Sequence, residues 1–271
     1  MKVATLQMVS SPDVAANLAQ AHTLLAQAAQ AGAELAVLPE YFCQMGARDT
    51  DKLQIAETWG TGPIQQFLAD SARQWGLWVV AGTLPIKAAQ PDRVYNSSLA
   101  FNPQGDCVAR YDKIHLFRYT NGAESYDESR VLVPGDKPVQ FALPSRDGAV
   151  WQVGLSVCYD LRFAELYRAY AAQGAHLLLV PSAFTYTTGK AHWEVLLRAR
   201  AIENLSFVAA AAQGGVHPTG RRTWGHSMLV DPWGRVLDQR ADGVGLVCAD
   251  LDMGQLVQCR TQLASLQHRV L

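Results

Sequence analysis

Cysteine is scarce in this sequence of 271 residues. The number of cysteines is odd and no C-x-x-C pair occurs, so the sequence has neither the pattern of a disulfide framework nor that of a zinc site. We therefore expect no bound metal, no disulfide and a reducing, cytoplasmic location. The cysteines are Cys43, Cys107, Cys158, Cys248 and Cys259.

A surplus of charge is also absent, because 23 lysine and arginine residues are balanced by 24 aspartate and glutamate residues. The net charge of -1 and the pI near 6.6 give no basic surface for nucleic acid or an anionic membrane. No apolar run could span a bilayer, and the start MKVATLQMVS follows a strand pattern, not that of a signal peptide. We expect a soluble protein that binds neither nucleic acid nor membrane, and that can hold a small, even anionic, substrate through local arginines.

Motifs for binding phosphate groups are missing too, since neither G-x-G-x-x-G nor a P-loop occurs. No change in composition marks a linker, so residues 1–271 are predicted to form a single domain. Strand and helix patterns follow one another in the order β-α-β-α-β-β, and the same order then repeats. This repetition favours an α/β fold of the four-layer α-β-β-α sandwich type over a Rossmann sheet.

What the sequence does contain is a cysteine at the junction of two elements. Residues 151–157 (WQVGLSV) have the apolar, β-branched content of a buried strand, and residues 163–174 indicate a helix closed by glycine. Cys158 therefore lies where a strand passes into a helix, and N–H groups at a helix start favour a thiolate or an oxyanion. The alternative is a small core residue, since free cysteines are often buried.

A carboxylate follows a second buried strand. Residues 35–39 (LAVLP) form this strand, and Glu40 comes directly after it. Open α/β sheets place their ligand crevices at the carboxyl ends of such strands. An enclosed Glu40 can have a raised pKa and act as a general base. On its own it is equally compatible with a solvated residue at a strand end.

A lysine ends the hairpin predicted from residues 94–101 and 107–111. Lys113 is followed by apolar residues in the run KIHLF, which indicates a partly buried ammonium group. Such a group requires a carboxylate or an oxyanion as its partner. Residues 118–137 are predicted to be a long loop, and Glu128 within it is, taken alone, a surface acid. The helix predicted over residues 190–206 is expected to pack within the fold or against a second subunit.

Together these segments resemble a known catalytic pattern. Glu40 after LAVLP, Lys113 in YDKIHLF and Cys158 in GLSVCYDLRFAEL are similar to the Glu-Lys-Cys triad of the nitrilase superfamily, the carbon–nitrogen hydrolases. Glu128 in YDESRVLVPGD resembles the second glutamate that this family keeps near its lysine. The resemblance runs essentially from end to end. Four further segments resemble the branch of deaminated glutathione amidases: residues 192–204, 209–215, 225–234 and 266–269.

The resemblance implies an α-β-β-α fold, a homodimer or higher homo-oligomer, and no metal or organic cofactor. It implies that Glu40 takes the proton of Cys158, whose thiolate attacks an amide carbonyl to form a thioester. Lys113 and the N–H of Tyr159 stabilise the oxyanion, and Glu128 holds Lys113 in position. The implied small-molecule substrate is deaminated glutathione, which gives 2-oxoglutarate and cysteinylglycine. The alternative is an ω-amidase acting on 2-oxoglutaramate or a related small amide.

Several alternatives remain open on the sequence alone. Arg162, four residues beyond Cys158, can bind a substrate carboxylate or form a structural salt bridge. A Cys-His hydrolase could pair Cys158 with a histidine, and a non-catalytic binding or scaffold protein is a third hypothesis. The segment Arg118–Glu124 departs from the aspartate and proline-glycine loop of eukaryotic relatives, which bears on the substrate. The histidines considered are His115, His192 and His226.

Overall fold

The computed structural model describes residues 1–120, 122 and 125–270. The segment Arg118–Glu124 thus lies partly outside the described residues, because Asn121, Ala123 and Glu124 are not among them. The α-helices of the described part are α1 (Val14–Gln30), α2 (Asp51–Gln54), α3 (Pro63–Trp75), α4 (Ala164–Ala172), α5 (Tyr186–Asn204) and α6 (Met253–Gln262). None of these helices combines the length and the apolar character that a membrane crossing needs.

The β-strands of the same part of the chain are β1 (Lys2–Gln7), β2 (Leu35–Val37), β3 (Trp78–Val80), β4 (Leu84–Lys87), β5 (Val94–Phe101), β6 (Cys107–Asp112), β7 (Arg118–Thr120), β8 (Ser125–Asp127), β9 (Gln140–Pro144), β10 (Val150–Leu155), β11 (Leu177–Leu179), β12 (Phe207–Ala210), β13 (Gly214–Val216), β14 (Arg222–Trp224), β15 (Ser227–Val230), β16 (Val236–Arg240) and β17 (Gly245–Asp250). The predicted hairpin of β5 and β6 is confirmed. Strands β4 and β9 were not predicted, because both are short and contain proline, which usually argues against a strand.

The strands form two large sheets with the same internal arrangement. Their orders are β17-β1-β2-β3-β5-β4, with β6 paired to β5, and β16-β15-β12-β11-β10-β9. In the first sheet β1, β2 and β3 run parallel and β5 is antiparallel to β3. In the second sheet β10, β11 and β12 run parallel and β15 is antiparallel to β12. The repeat predicted from the sequence is therefore confirmed at the level of strand direction.

Successive side chains along each strand point to opposite faces of its sheet, and this alternation gives each sheet two apolar faces. Side chains on one face of β1 and β2, including Val3, Leu35 and Val37, join a core with Trp151 and Val153 of the second sheet. The opposite face, including Ala4, Leu6 and Ala36, packs against α1 and α3. Helices α4 and α5 cover the outer face of the second sheet with a set of large apolar side chains: Tyr167, Tyr170, Trp193 and Leu197. The four-layer α-β-β-α sandwich is thus confirmed.

Strand direction explains why distant sequence segments can meet. Strand β5 is antiparallel to both β3 and β6, so β6 ends at the same edge of the first sheet as β2 and β3. Glu40 follows β2 and Lys113 follows β6 directly. The corresponding edge of the second sheet carries Cys158 after β10. Because the sheets face each other, these three residues can share one crevice.

One local prediction was wrong. Residues 118–137 are not simply a loop, because β7 and β8 pair antiparallel with Arg118 opposite Asp127, and a 3-10 turn follows at Glu128–Arg130. The predicted position of Cys158 between a strand and a helix is confirmed, and the 3-10 turn Cys158–Arg162 links it to α4. The pairing of β7 and β8 was missed because both strands are short and lack apolar periodicity, which was the signal available from the sequence.

Candidate active site

Cys158 begins a turn whose backbone is unusual for a residue with a side chain. Its φ is 51°, in the left-handed region, and its N–H donates to the Pro181 carbonyl at 3.0 Å. A non-glycine residue held in this region costs free energy and persists only where the surroundings fix it. The thiol is 8% exposed. The turn therefore presents one buried thiol in a fixed direction at the end of β10.

Asp160 holds this turn, and the sequence reasoning missed it. Its Oδ2 accepts hydrogen bonds from the Tyr111 hydroxyl at 2.7 Å and from the Val157 N–H at 2.8 Å. Its Oδ1 accepts from the His115 N–H at 3.0 Å and lies 2.7 Å from His115 Nδ1. The carboxylate is fully buried and joins the chain before Cys158 to the segment after Lys113. Its position two residues after the cysteine, in a helical first turn, was the available signal.

We expect Asp160→Ala to lower the free energy of unfolding by about 3 kcal/mol, because the substitution leaves several buried donors without an acceptor. Urea denaturation of the variant and the parent measures this difference. Asp92→Ala is the matched control, since Asp92 is exposed and a surface substitution changes stability by only about 0.5 kcal/mol or less. Equal stability losses in the two variants would contradict the anchoring role.

Glu40 is enclosed, as one of the two sequence hypotheses for it required. Its side chain is 1% exposed, and Oε1 accepts from Lys113 Nζ and from Asn96 Nδ2, each at 3.0 Å. Its Oε2 accepts from the Ala183 N–H at 2.8 Å. The alternative of a solvated carboxylate at a strand end is excluded by this burial. Gly82 supports the position, because a Cβ on it would lie 2.0 Å from the Pro39 carbonyl oxygen.

Lys113 lies between two carboxylates. Its Nζ is 3.0 Å from Glu40 Oε1, and 2.9 and 2.8 Å from the two carboxylate oxygens of Glu128. Glu128 also accepts from the Tyr41 hydroxyl at 2.9 Å and from the Phe117 N–H at 2.7 Å. The side chain of Glu128 is only 13% exposed, so its interpretation as a surface acid was wrong. The predicted partner of the buried ammonium group is in fact a pair of carboxylates.

The charges in this cluster determine its protonation. Burial by itself would lower the pKa of Lys113, but Glu128 and Glu40 outweigh it and raise that pKa well above its ordinary value. Burial opposes ionisation of Glu128 as well, yet the Lys113 charge lowers the Glu128 pKa. The pKa of Cys158 is raised well above its ordinary value by burial and by Glu40, while Lys113 acts in the opposite direction. The resting site therefore holds a neutral thiol beside an ionised pair, Lys113 and Glu128.

These groups open into a pocket of about 310 Å³, which we call the inner pocket. Tyr159 contributes to its wall, with its ring packed edge-on against Phe117 and Phe163 at centroid distances of 5.2 and 5.3 Å. Within the described residues, the Tyr159 N–H makes no hydrogen bond. The inner pocket is lined by Glu40, Tyr41, Phe117, Glu128, Cys158, Tyr159, Arg162, Ala183, Phe184, Thr185, Thr188 and Arg221. The structure thus brings Glu40, Lys113, Glu128 and Cys158 together.

Two arginines give the inner pocket positive charge. The Arg162 guanidinium lies over the rings of Tyr159 and Phe184 at 5.8 and 5.4 Å, and its Nη1 is 3.2 Å from His192 Nδ1. Within the described ranges, no carboxylate lies within ion-pair distance of Arg162, so the structural salt bridge considered above is not found. Arg221 also lines this pocket, and the sequence reasoning missed it because an arginine in a loop carries no distinctive pattern.

The histidines of the alternative Cys-His hypothesis lie elsewhere. His115 is bound to Asp160 and stacks on Phe163 with a centroid distance of 3.6 Å. His192 contacts Arg162, while the ring of His226 stacks on Trp224 at 4.3 Å. None of the three lines the inner pocket. In residues 1–120, 122 and 125–270, the His, Cys, Asp and Glu side chains form no group that could hold a metal ion.

Several known proteins are similar to this chain in sequence and in fold. The sequence model of the family described as "Carbon-nitrogen hydrolase" matches residues 2–261. A deaminated glutathione amidase of Synechocystis sp. is 42% identical over 271 residues, which cover 98% of this chain and 97% of that protein. An omega-amidase of Mus musculus is 35% identical over 269 residues, with 99% and 94% covered. The crystal structure of the C. elegans NitFhit protein superposes with a TM-score of 0.90 at 35% identity, covering 99% of this chain and 65% of that chain.

The family match and the structural match agree on the same extent of chain. The family model spans all the strands of the two large sheets, and the structural neighbour covers 99% of the chain. The match therefore includes both facing sheets and the crevice between them. This chain belongs to the carbon–nitrogen hydrolase family, the nitrilase superfamily.

Proposed function

We propose that the protein is an amidase that hydrolyses deaminated glutathione to 2-oxoglutarate and cysteinylglycine. The observation that carries this proposal is the buried Glu40–Lys113–Glu128 cluster beside a single strained cysteine at the inner pocket. Nucleophile, base and cation are the parts that acyl transfer requires. The substrate is taken from the Synechocystis relative named above, which aligns over nearly the full length of this chain.

The first step is transfer of the Cys158 proton to Glu40. Before it, two carboxylates and one ammonium group give the cluster a single net negative charge. After it, the thiolate carries the charge that Glu40 has lost, so the net charge of the buried site is unchanged. Release of the proton to solvent would instead add a second negative charge, which burial opposes. Glu40 is therefore the base, and Lys113 stabilises the thiolate that forms.

The thiolate then attacks the amide carbonyl, and the negative charge moves onto oxygen. Lys113 Nζ and the Tyr159 N–H are the proposed donors to this oxyanion, each donor being worth roughly 3 kcal/mol. Protonated Glu40 gives its proton to the leaving amine as the C–N bond breaks, which leaves a thioester on Cys158. Water, deprotonated by Glu40, attacks the thioester, releases the acid and restores the thiol. Glu128 keeps Lys113 in place throughout.

Arg162 is the proposed partner of a carboxylate on the acyl part of the substrate. Its guanidinium lines the inner pocket and lacks an acidic partner among the described residues. Aromatic rings on which it rests fix its direction without neutralising its charge. A substrate that ends in a carboxylate supplies the missing negative charge, as the 2-oxoglutaryl group does.

An ω-amidase acting on 2-oxoglutaramate is the second candidate. The mouse relative with this name supports it, and the acyl part of that substrate is the same. Only the leaving group differs, being ammonia in place of cysteinylglycine. We expect the protein to hydrolyse deaminated glutathione with a kcat/KM at least about tenfold above that for 2-oxoglutaramate, which corresponds to about 1.4 kcal/mol of transition-state binding. Release of 2-oxoglutarate from each substrate, followed by a coupled dehydrogenase, measures both values.

The control for this comparison is the Cys158→Ala variant, which should release 2-oxoglutarate from neither substrate. Comparable turnover of both substrates would argue against the deaminated glutathione assignment and leave the amidase class standing. Turnover of neither would overturn both candidate substrates.

We also propose a single domain over residues 1–271, a cytoplasmic location, and a homodimer or higher homo-oligomer that binds neither nucleic acid nor membrane. The exposed apolar surface near α5 supports the oligomer, since Val195, Ile202 and Trp233 are 69%, 45% and 59% exposed. Contiguous exposed apolar side chains of this size often mark a protein–protein interface. Gel filtration with light scattering would measure the mass in solution.

A further inference from the structure

A second pocket adjoins the inner pocket. It has a volume of about 300 Å³, and we call it the outer pocket. Tyr41 and Arg221 line both pockets, so the two share a wall. The outer pocket is lined by Tyr41, Gln44, Met45, Gly46, Arg48, Asp49, Lys52 and Arg221. The mechanism described above uses none of the residues that belong to the outer pocket alone.

The outer pocket contains two cations, Arg221 and Lys52, that have no acidic partner among the described residues. In the described part of the chain, no carboxylate lies within ion-pair distance of Arg221 or Lys52, whereas Arg48 is paired with Asp51 at 3.0 Å. The Arg221 Nε is buried without a hydrogen bond, and its guanidinium lies 5.4 Å from the centre of the Tyr126 ring. Lys52 Nζ lies 5.3 Å from the centre of the Tyr41 ring. Asp49 lines the same pocket as a nearby acid.

Unpaired cations that are partly buried favour the binding of an anion. Burial lowers the pKa of Lys52, and the charges of Glu128 and Asp49 only partly oppose it. A half-buried guanidinium has lost some of its hydrogen bonds to water. A carboxylate that accepts hydrogen bonds from two of its N–H groups replaces them. The stabilisation is greatest for an anion that reaches both side chains.

We propose that the outer pocket binds a carboxylate at the far end of the leaving group, with Arg221 and Lys52 as its partners. This inference rests on the proposed function and extends it to the class of leaving amine. Arg162 then holds the acyl carboxylate on one side of Cys158, and Arg221 holds the leaving-group carboxylate on the side where the pockets meet. The preferred substrates are amides whose amine part is peptide-like and ends in a carboxylate. Ammonia, the leaving group of a primary amide, gains nothing from these residues.

The test compares substrates that differ only in the leaving group. Arg221→Gln and Lys52→Met are each assayed with deaminated glutathione, with its C-terminal carboxamide and with 2-oxoglutaramate. We expect the ratio of kcat/KM for deaminated glutathione to that for 2-oxoglutaramate to fall roughly 10- to 100-fold, the range for loss of a charged hydrogen bond. The loss should appear mainly in KM, because the contact lies away from the reacting bond. The ratio of kcat/KM for the carboxamide to kcat/KM for 2-oxoglutaramate should be the same in the variants as in the parent.

Arg222→Gln is the matched control, since it removes the same charge at the next residue. Arg222 is exposed, its guanidinium lies 3.6 Å from the centre of the Tyr186 ring, and it lines neither pocket. The substrate ratio of this variant should equal that of the parent. An unchanged ratio in Arg221→Gln, or an equal loss on all three substrates, would overturn the proposal.

A binding measurement separates this inference from the proposed function. Calorimetric titration of the Cys158→Ala variant compares the Kd of deaminated glutathione with that of its carboxamide. A preference for the free carboxylate that disappears in the Cys158→Ala, Arg221→Gln double variant supports the outer pocket, even if the parent enzyme turned over neither substrate. Equal Kd values for the two ligands would overturn the outer-pocket proposal, whatever the turnover result.

Discussion

Glu40→Gln is expected to lower kcat/KM for amide hydrolysis about a thousandfold, within the usual range for loss of a general base. Glutamine has the same shape as glutamate and can still accept the Ala183 N–H, but it cannot take the Cys158 proton. The fold should persist, because the side chain remains hydrogen-bonded in its buried position. Steady-state hydrolysis of deaminated glutathione measures the loss in kcat/KM. Glu165→Gln, at an exposed position in α4, is the control and should retain full activity.

The Glu40→Gln substitution should also make the Cys158 thiol easier to ionise, although it lowers the rate of hydrolysis. Glu40 raises the pKa of Cys158 and Lys113 lowers it. When the Glu40 charge is removed, the effect of Lys113 on Cys158 is no longer opposed by Glu40, so the Cys158 pKa should fall. Alkylation of Cys158 by iodoacetamide, followed by mass spectrometry of its peptide against pH, should therefore shift to lower pH while amide hydrolysis is lost. Retained hydrolysis with an unchanged alkylation profile would favour a Cys-His mechanism.

Lys113→Met should lower both activity and stability. Loss of an oxyanion donor costs roughly 10²- to 10³-fold in kcat. The substitution also leaves the Glu40 and Glu128 carboxylates buried without a cation, and breaking a buried ion pair typically costs about 3–5 kcal/mol. Urea denaturation near neutral pH measures the second effect. Lys87→Met, at an exposed position, should change the free energy of unfolding by about 0.5 kcal/mol or less.

The pH dependence of this stability loss tests its electrostatic origin. In the parent, the Glu128 pKa is lowered by folding, so its contribution is present above the unfolded pKa and is lost as pH falls through the folded pKa. The raised Lys113 pKa contributes below its unfolded pKa and is lost only as pH rises through a value well above 10.5. In Lys113→Met the Glu128 carboxylate has lost its cation, so the Glu128 pKa should rise above that of the unfolded chain. The stability deficit should therefore shrink from pH 7.5 to pH 5, and an equal deficit at both pH values would contradict this account.

The sequence was most informative where one residue follows a strong periodic element. Leu35–Val37 and Val150–Leu155 are short buried strands, and Glu40 and Cys158 lie shortly after them. Their positions at strand ends could be predicted because apolar runs determine where strands end. Taken alone, Glu128 had the pattern of a surface acid, because its burial depends on Tyr41, Phe117 and Lys113, which come from other segments. Only the resemblance placed it near Lys113.

Asp160, Arg221 and Lys52 show a different kind of limit. Each is an ordinary charged residue, and only Asp160 had a local signal, its position in the first turn after Val157. Asp160 matters because Tyr111 and His115 reach it across the sheets. Arg221 and Lys52 lie far apart in the chain and meet only at the wall of the outer pocket. No local sequence pattern predicts that these residues lie close together, because their proximity depends on contacts between distant segments.

The sequence alone predicted the repeat of strands and helices within the fold and, through a resemblance of short segments, the candidate nucleophile, base and cation, because each of these rests on local patterns. Only the tertiary structure decided that Glu40 and Glu128 share one lysine, that Asp160 holds the cysteine turn, and that two unpaired cations lie beside the inner pocket. Burial and charge pairing arise between segments remote in sequence, and these quantities set the pKa values of the site.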